Sequence, residues 1–226
     1  MTTPTSSPEP SESHPRSRLS RLEWLAVVAI LLGAFALRIA AFASAPPGVI
    51  HDEVRSWLNA QLVEQGDLRA LYPYGGGREA LHMLLSAASY TLIGDNLLAG
   101  RFPSIAFGLF TIAASYSLAR RWFGRWAGLF AAAALAVSFW NLMFARLAER
   151  PISLPGMALV TVLVYAHLLE HKPHALLPYA GAGLLLGLTL YTYPAALIFP
   201  VVLGAWIGLR ALSGELGLRA VGLRLA

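Results

Sequence analysis

The sequence predicts an all-α integral membrane protein, a multi-span helical bundle with interfacial helices in its first outer loop. Three observations carry that reading. Apolar residues make up 57% of the 226 residues and charged ones only 13%, about half the share with which a soluble domain coats its surface. Mean hydropathy is +0.59. The apolar residues gather into long runs, and the arginines stand at the ends of those runs. The net charge of +5 is therefore a matter of membrane topology, and no nucleic-acid partner is expected. The chain has no cysteine, which removes thiol catalysis and thiolate metal sites.

Residues 1–20 are rich in Ser, Thr, Pro and Glu and read as a disordered cytoplasmic tail. Arg16, Arg18 and Arg21 then precede an apolar run over 22–43, long enough to span. A signal peptide cleaved near Ala43-Ser44-Ala45 is the competing reading of that run. Arg38 interrupts it near its outer end and is expected to reach the interface by snorkelling. Further spans are expected at 102–119, 126–144, 153–169, 178–192 and 195–209. The last two are divided at Tyr191-Thr192-Tyr193-Pro194, where proline between aromatics suits an interfacial turn. Gly183 and Gly187 form a GxxxG pair that allows close helix packing.

The run 80–94 is short and holds His82, Ser86 and Ser89. Basic residues favour the inner side of a membrane. If 80–94 spans, the inner side carries six Lys and Arg and the outer side ten. If it lies at the outer surface the numbers reverse, with Arg38 left out of both. The six-span arrangement with a surface or re-entrant 80–94 helix follows. It places the loop 44–101 and the loop from Arg146 to Pro151 on one outer face.

The first outer loop holds a second surface helix at about 52–65, which Gly66 stops. Val54, Trp57, Leu58, Leu62 and Val63 fall near one face of it, and Trp57 suits a membrane surface. Asp52 and Glu53 stand at its start. They read as helix caps or as a carboxylate poised to take a proton from a substrate hydroxyl. His51 lacks partners at metal-site spacing and reads as a loop histidine. Gly75-Gly76-Gly77 precede Arg78, either as a joint between two surface helices or as a backbone that approaches a ligand closely. The Arg78 guanidinium suits a phosphate. In the second outer loop, Arg146 and Arg150 run against the positive-inside tendency. Either they form a surface pair with Glu149, worth little energetically, or they meet an anionic ligand.

An ordered combination of segments resembles a known family. A spanning helix leads to an outer loop that opens with Asp52-Glu53 on a surface helix, and an apolar surface helix follows. Ala99-Gly100-Arg101-Phe102-Pro103-Ser104 enters a span that ends in Ala119-Arg120-Arg121-Trp122-Phe123-Gly124, and the next span ends in Ala145-Arg146-Leu147-Ala148. Over about residues 22–209 this is similar to the N-terminal half of the multi-span GT-C glycosyltransferases, in the protein-mannosyltransferase and aminoarabinose-transferase-like group. The resemblance implies an enzyme that moves a monosaccharide from a polyprenyl-phosphate donor to a hydroxyl acceptor (protein, lipid or glycan) at the extracytoplasmic face of the plasma membrane. It implies Asp52 as catalytic base with Glu53 beside it. Arg78, Arg146 and Arg150 are implied at the donor phosphate, and Glu79 or Glu149 in a second acidic role. No cofactor is expected, and a divalent metal stays open.

Two departures from the family pattern stand out. Arg78-Glu79-Ala80 replaces Lys or His followed by two prolines, and Ile152 stands where an aspartate is usual. The family continues into more spans, so the chain is expected to be incomplete at its C-terminus. A membrane scaffold, a transporter segment and an inactive truncated transferase remain alternatives. A transporter would carry charge inside its spans, whereas here charge gathers in the loops.

Overall fold

The computed structural model describes residues 19–42, 44–171 and 176–213. Residues 1–18 of the tail expected over 1–20, and the basic residues Lys172, Arg219 and Arg224, lie outside these. Among the described residues the architecture is helical apart from one two-stranded hairpin.

Helix α1 (Arg21–Ile39) starts where the Ser20 hydroxyl accepts the Glu23 amide at 3.1 Å. Helix α2 (His51–Glu64) ends before Gly66, which takes φ +86°. Strands β1 (Leu71–Tyr72) and β2 (Arg78–Glu79) pair antiparallel, Tyr72 opposite Arg78. Between them Gly75, Gly76 and Gly77 all adopt positive φ, a run that only glycine sustains without strain. Helix α3 (Ala80–Ile93) follows at once. The Asn96 side chain caps α4 (Leu97–Phe123) by accepting the Ala99 amide at 3.0 Å.

Gly124 turns the chain into α5 (Arg125–Val137), which bends by 58° into α6 (Phe139–Ala145). A short 3-10 turn over Arg150–Ile152 leads into α7 (Ser153–His171). Helix α8 (Leu176–Leu190), a 3-10 turn over Pro194–Ile198, and α9 (Phe199–Leu212) complete the described chain.

Helix α4 is the hub. At 27 residues it is about 40 Å long and overruns the ~30 Å apolar layer of a bilayer, so the expected span over 102–119 is only its middle. Gly108 on α4 faces the Ala145 methyl. Gly128 on α5 faces Tyr116 and Arg120, and Gly156 on α7 faces Phe110 and Thr111. At each of them an added Cβ would come within 3.0 Å of a neighbouring atom. Small residues at crossing points let apolar helices approach closely. The expected GxxxG pair behaves differently, because nothing lies within 4 Å of where a Cβ would stand at Gly183 or Gly187.

Among the described residues, four helical segments are long and apolar enough to cross a membrane, and the bent α5–α6 pair would be a fifth. The remaining expected span, 178–192, corresponds to α8. Its 15 residues cover about 22 Å.

Arg38 departs from its expected snorkelling. It is 0% exposed and points into the bundle. There it donates to the Ala34 carbonyl at 2.7 Å, to the Ala136 carbonyl and to the Asn141 side chain. Ala136 lies in the last turn of α5, where carbonyls lose their helical partners. The buried guanidinium thus ties α1 across the bend between α5 and α6.

Ionisable groups sort to two ends. At one, Glu23 meets Arg120, and Arg121 meets Glu170 at 2.5 Å. At the other lie the end of α1, all of α2, the hairpin, the start of α4, the loop 146–150 and the Tyr191–Tyr193 turn. Contacts join them: Arg146 to Ala40, Glu53 to Ala148, and the Leu81 amide to the Tyr191 carbonyl.

Candidate active site

Helix α2 sits on the bundle by a polar face. Glu53, Ser56 and Asn59 are buried beside Ala60, while Val54, expected on the apolar side, is 40% exposed. Trp57 donates its indole N–H to Asp95 at 3.1 Å. Of the face expected to be apolar, Leu62 and Val63 pack against Tyr72, Ala80 and Met83, while the buried start of the helix is docked by polar side chains. Asn59 clamps the hairpin by donating to the Tyr74 carbonyl and accepting the Tyr74 amide, at 2.9 and 3.1 Å.

Glu53 is 3% exposed and each of its oxygens accepts two hydrogen bonds. Oε1 takes Arg101 Nε at 2.7 Å and the Ala148 amide at 2.9 Å. Oε2 takes Arg101 Nη2 and the Ile50 amide, both at 3.0 Å. Burial pushes the carboxyl upward. The Arg101 hydrogen bond and the two amides outweigh it and hold Glu53 below its ordinary value. Arg101 is itself fully buried. The pair pins the start of α2 to α4 and to the loop 146–150 at once.

Asp52, one residue earlier, points elsewhere and its side chain is 43% exposed. Its Oδ1 accepts Arg78 Nη2 at 2.5 Å and Arg55 Nη1 at 3.1 Å. Among the described residues nothing hydrogen-bonds Oδ2. Burial raises the carboxyl somewhat, and Arg78 and then Arg55 pull it below its ordinary value.

Arg78 is buried and also reaches the Asp52 carbonyl and Ser56 Oγ. Gly75 makes room for it, because a Cβ there would collide with Arg78 Nε. Gly75 thus lets the turn close over the arginine, while Gly76 and Gly77 face open space.

The other expected residues divide. Glu79 is buried and pairs with Arg150, whose guanidinium also lies 5.3 Å from the Tyr193 ring centroid. Arg146, expected at a phosphate, donates to the carbonyls of Leu37, Ala40 and Ala41. It caps the C-terminal turn of α1, a good place for a cation. Neither arginine pairs with Glu149, which disposes of the surface pair weighed from the sequence. Glu149 is 8% exposed, its amide donates to Ser104 Oγ at 3.3 Å, and its carboxylate has no hydrogen bond or ion pair among the described residues. Burial first, then the charge on Asp52, pushes it up to about 7, with Arg78 and Arg150 nearby opposing. His51 opens α2 and is exposed.

Asp52, Arg78, Glu79, Glu149 and Arg150 are therefore assembled at one end of the bundle, while Glu53 and Arg146 face structural partners. No group of three metal-ligating side chains occurs among the described residues. Sequence reasoning gave no site role to Arg55, Arg101 or Ser104. The i, i+3 spacing of Asp52 and Arg55 is the one signal that could have flagged a partner.

An all-α bundle with, among the described residues, four helical segments long and apolar enough to cross a bilayer is a membrane protein. The model of the dolichyl-phosphate-mannose-protein mannosyltransferase family matches residues 80–213, more than half of the chain. The chain belongs to that family and is a membrane glycosyltransferase of the GT-C type. No curated protein and no solved structure matches it.

Proposed function

We propose that this glycosyltransferase takes its sugar from a polyprenyl-phosphate donor and passes it to a hydroxyl acceptor, with Asp52 as general base. The observation that carries the reading is the Asp52 carboxylate. One oxygen accepts from two guanidinium groups, and the side chain is 43% exposed beside Arg78, at the same end as Arg150 and Glu149. Oδ2 takes the acceptor proton as the acceptor oxygen bonds to the anomeric carbon. The bond from that carbon to the phosphate oxygen breaks, and its electron pair leaves on the polyprenyl phosphate. Arg78 and Arg150 stand where this growing charge would be stabilised. A single displacement inverts the anomeric centre, through an oxocarbenium-like transition state. Glu53 acts as a positioning residue, since all its acceptor capacity goes to Arg101 and two amides. Arg146 positions the second outer loop against α1.

A second reading assigns the base to Glu149, because a carboxyl near 7 matches the working pH better than one held low. The excess of basic residues on the opposite side supports an outward-facing site in the plasma membrane, with the N-terminus cytoplasmic.

The test is transfer from a polyprenyl-phosphate sugar by Asp52→Asn and Glu149→Gln at equal expression. Loss in the first alone supports Asp52, and loss in the second alone moves the base to Glu149. Unchanged transfer by Asp52→Asn rejects Asp52 as the base.

A further inference from the structure

The face of α3 turned into the bundle carries a row of buried polar side chains that the reaction described above does not use. His82, Ser86 and Ser89 are 0%, 1% and 5% exposed, and their four- and three-residue spacing places them on one helical face. Both ring nitrogens of His82 and the hydroxyls of Ser86 and Ser89 have no hydrogen-bond partner in the structure. Other hydroxyls nearby are satisfied. Thr91 on the same helix donates to the Ala87 carbonyl at 3.0 Å, and Ser104 on α4 accepts the Glu149 amide. An unsatisfied buried polar group is destabilising, and alanine, already present at 87 and 88, would carry no such cost at 86.

The row begins beside the candidate phosphate site. Arg78 stands four residues before His82, and both Arg78 and Arg150 act on the imidazole electrostatically. Burial first, then these two cations, push it down to about 4, so it is neutral at working pH. A neutral imidazole offers one donor and one acceptor, and a serine hydroxyl offers both. Such a set adds little to the binding of an anion, which the guanidinium groups already serve. An apolar ligand would leave all four polar atoms unpaired. The matching chemistry is a neutral group with several hydroxyls. Ser89, at the end of the row away from Arg78, lines a cavity of about 520 Å³ among α3, α4 and α7 whose other walls are apolar.

We propose that His82 and Ser86, backed by Ser89, form a sugar-recognition seam that hydrogen-bonds the hydroxyls of a pyranose ring next to the phosphate held by Arg78 and Arg150. The inference rests on the transferase reading and adds to it the residues that choose the sugar. The ring could belong to the donor or to a glycan acceptor.

The test uses the full chain in lipid nanodiscs, as wild type and as Ser86→Ala, His82→Phe and His82→Gln. Affinities are measured for polyprenyl-phosphate mannose and for bare polyprenyl phosphate, and the KM for a soluble mannoside acceptor is measured in parallel. The wild type is expected to bind the sugar-bearing lipid more tightly. Ser86→Ala and His82→Phe each erase about three- to tenfold of that advantage, the worth of one hydrogen bond, and leave bare-lipid affinity unchanged. His82→Gln, which keeps a donor and an acceptor, restores most of it. A loss confined to acceptor KM keeps the seam and assigns it to the acceptor sugar.

Ser86→Ala removes an unpaired hydroxyl, so its melting temperature without ligand does not fall, and this variant reads the seam even if His82→Phe misfolds. Variants that keep the full sugar advantage and the wild-type KM overturn the seam, as do variants that lose both lipids equally. Either result leaves the transferase standing. A wild type that binds neither lipid overturns the polyprenyl-phosphate reading and the donor seam with it.

Discussion

Replacing Glu53 by glutamine tests whether α2 is held by one buried ion pair. Each carboxylate oxygen faces two donors, Arg101 with the Ala148 amide on one side and Arg101 with the Ile50 amide on the other. Glutamine keeps one acceptor and turns an NH₂ toward the other two donors, whichever way the amide sits. One backbone N–H is then orphaned, and a fully buried guanidinium loses its counter-charge. Removing one member of a buried pair costs about 3–5 kcal/mol, a large part of the ~5–15 kcal/mol that holds a typical domain. The expected outcome is a matching fall in unfolding free energy in detergent or nanodiscs, together with slower transfer because Asp52 shifts. Glu53→Gln combined with Arg101→Met should cost less than the sum of the two single changes, since the stranded charge is then gone.

The pH dependence has a definite sign. The folded carboxyl lies below its unfolded value of 4.5, so its stabilisation is complete above that value and is lost as pH falls through the folded value. Glu53→Gln should abolish this acid-side loss. A variant within ~0.5 kcal/mol of wild type, the range of an ordinary surface change, would refute the account of the docking.

Glu149 carries the opposite sign. Its folded value of about 7 lies above the unfolded 4.5, so its contribution is present at low pH and is lost as pH rises through 7, by about 3 kcal/mol. Glu149→Gln should flatten the melting temperature between pH 5 and 8, and an unchanged slope would show that the group is not held neutral. Gly75→Ala should cost more stability and more transfer activity than Gly76→Ala. Both take a residue with positive φ, but only Gly75 has the Arg78 side chain where its Cβ would go. Equal effects, read by unfolding and transfer rate, would mean that backbone strain alone (about 1 kcal/mol) accounts for both.

Much of the architecture was legible in the residues. Hydropathy separates the long apolar runs from the loops because a bilayer demands apolar lengths. Gly66, Gly94 and Gly124 mark helix ends because they adopt positive φ. The Asp52-Glu53 pair at the start of α2, Arg78 after its glycines and the basic loop 146–150 are visible as charge placed outside the long apolar runs. Periodicity carries local information of this kind, since it reports which solvent a face meets.

What the fold decided is which charge meets which. Glu53 and Asp52 are neighbours in the chain, yet one is locked to Arg101 and the other keeps a free oxygen, because successive helical residues point about 100° apart and different elements pack on each side. Arg38, 103 residues from Asn141, could not be known as the tie across the α5–α6 bend. Nothing in the linear chain shows that Arg146 meets the carbonyls at the end of α1. Long-range pairing is settled by the packing of helices around α4, and no spacing in the linear chain encodes it.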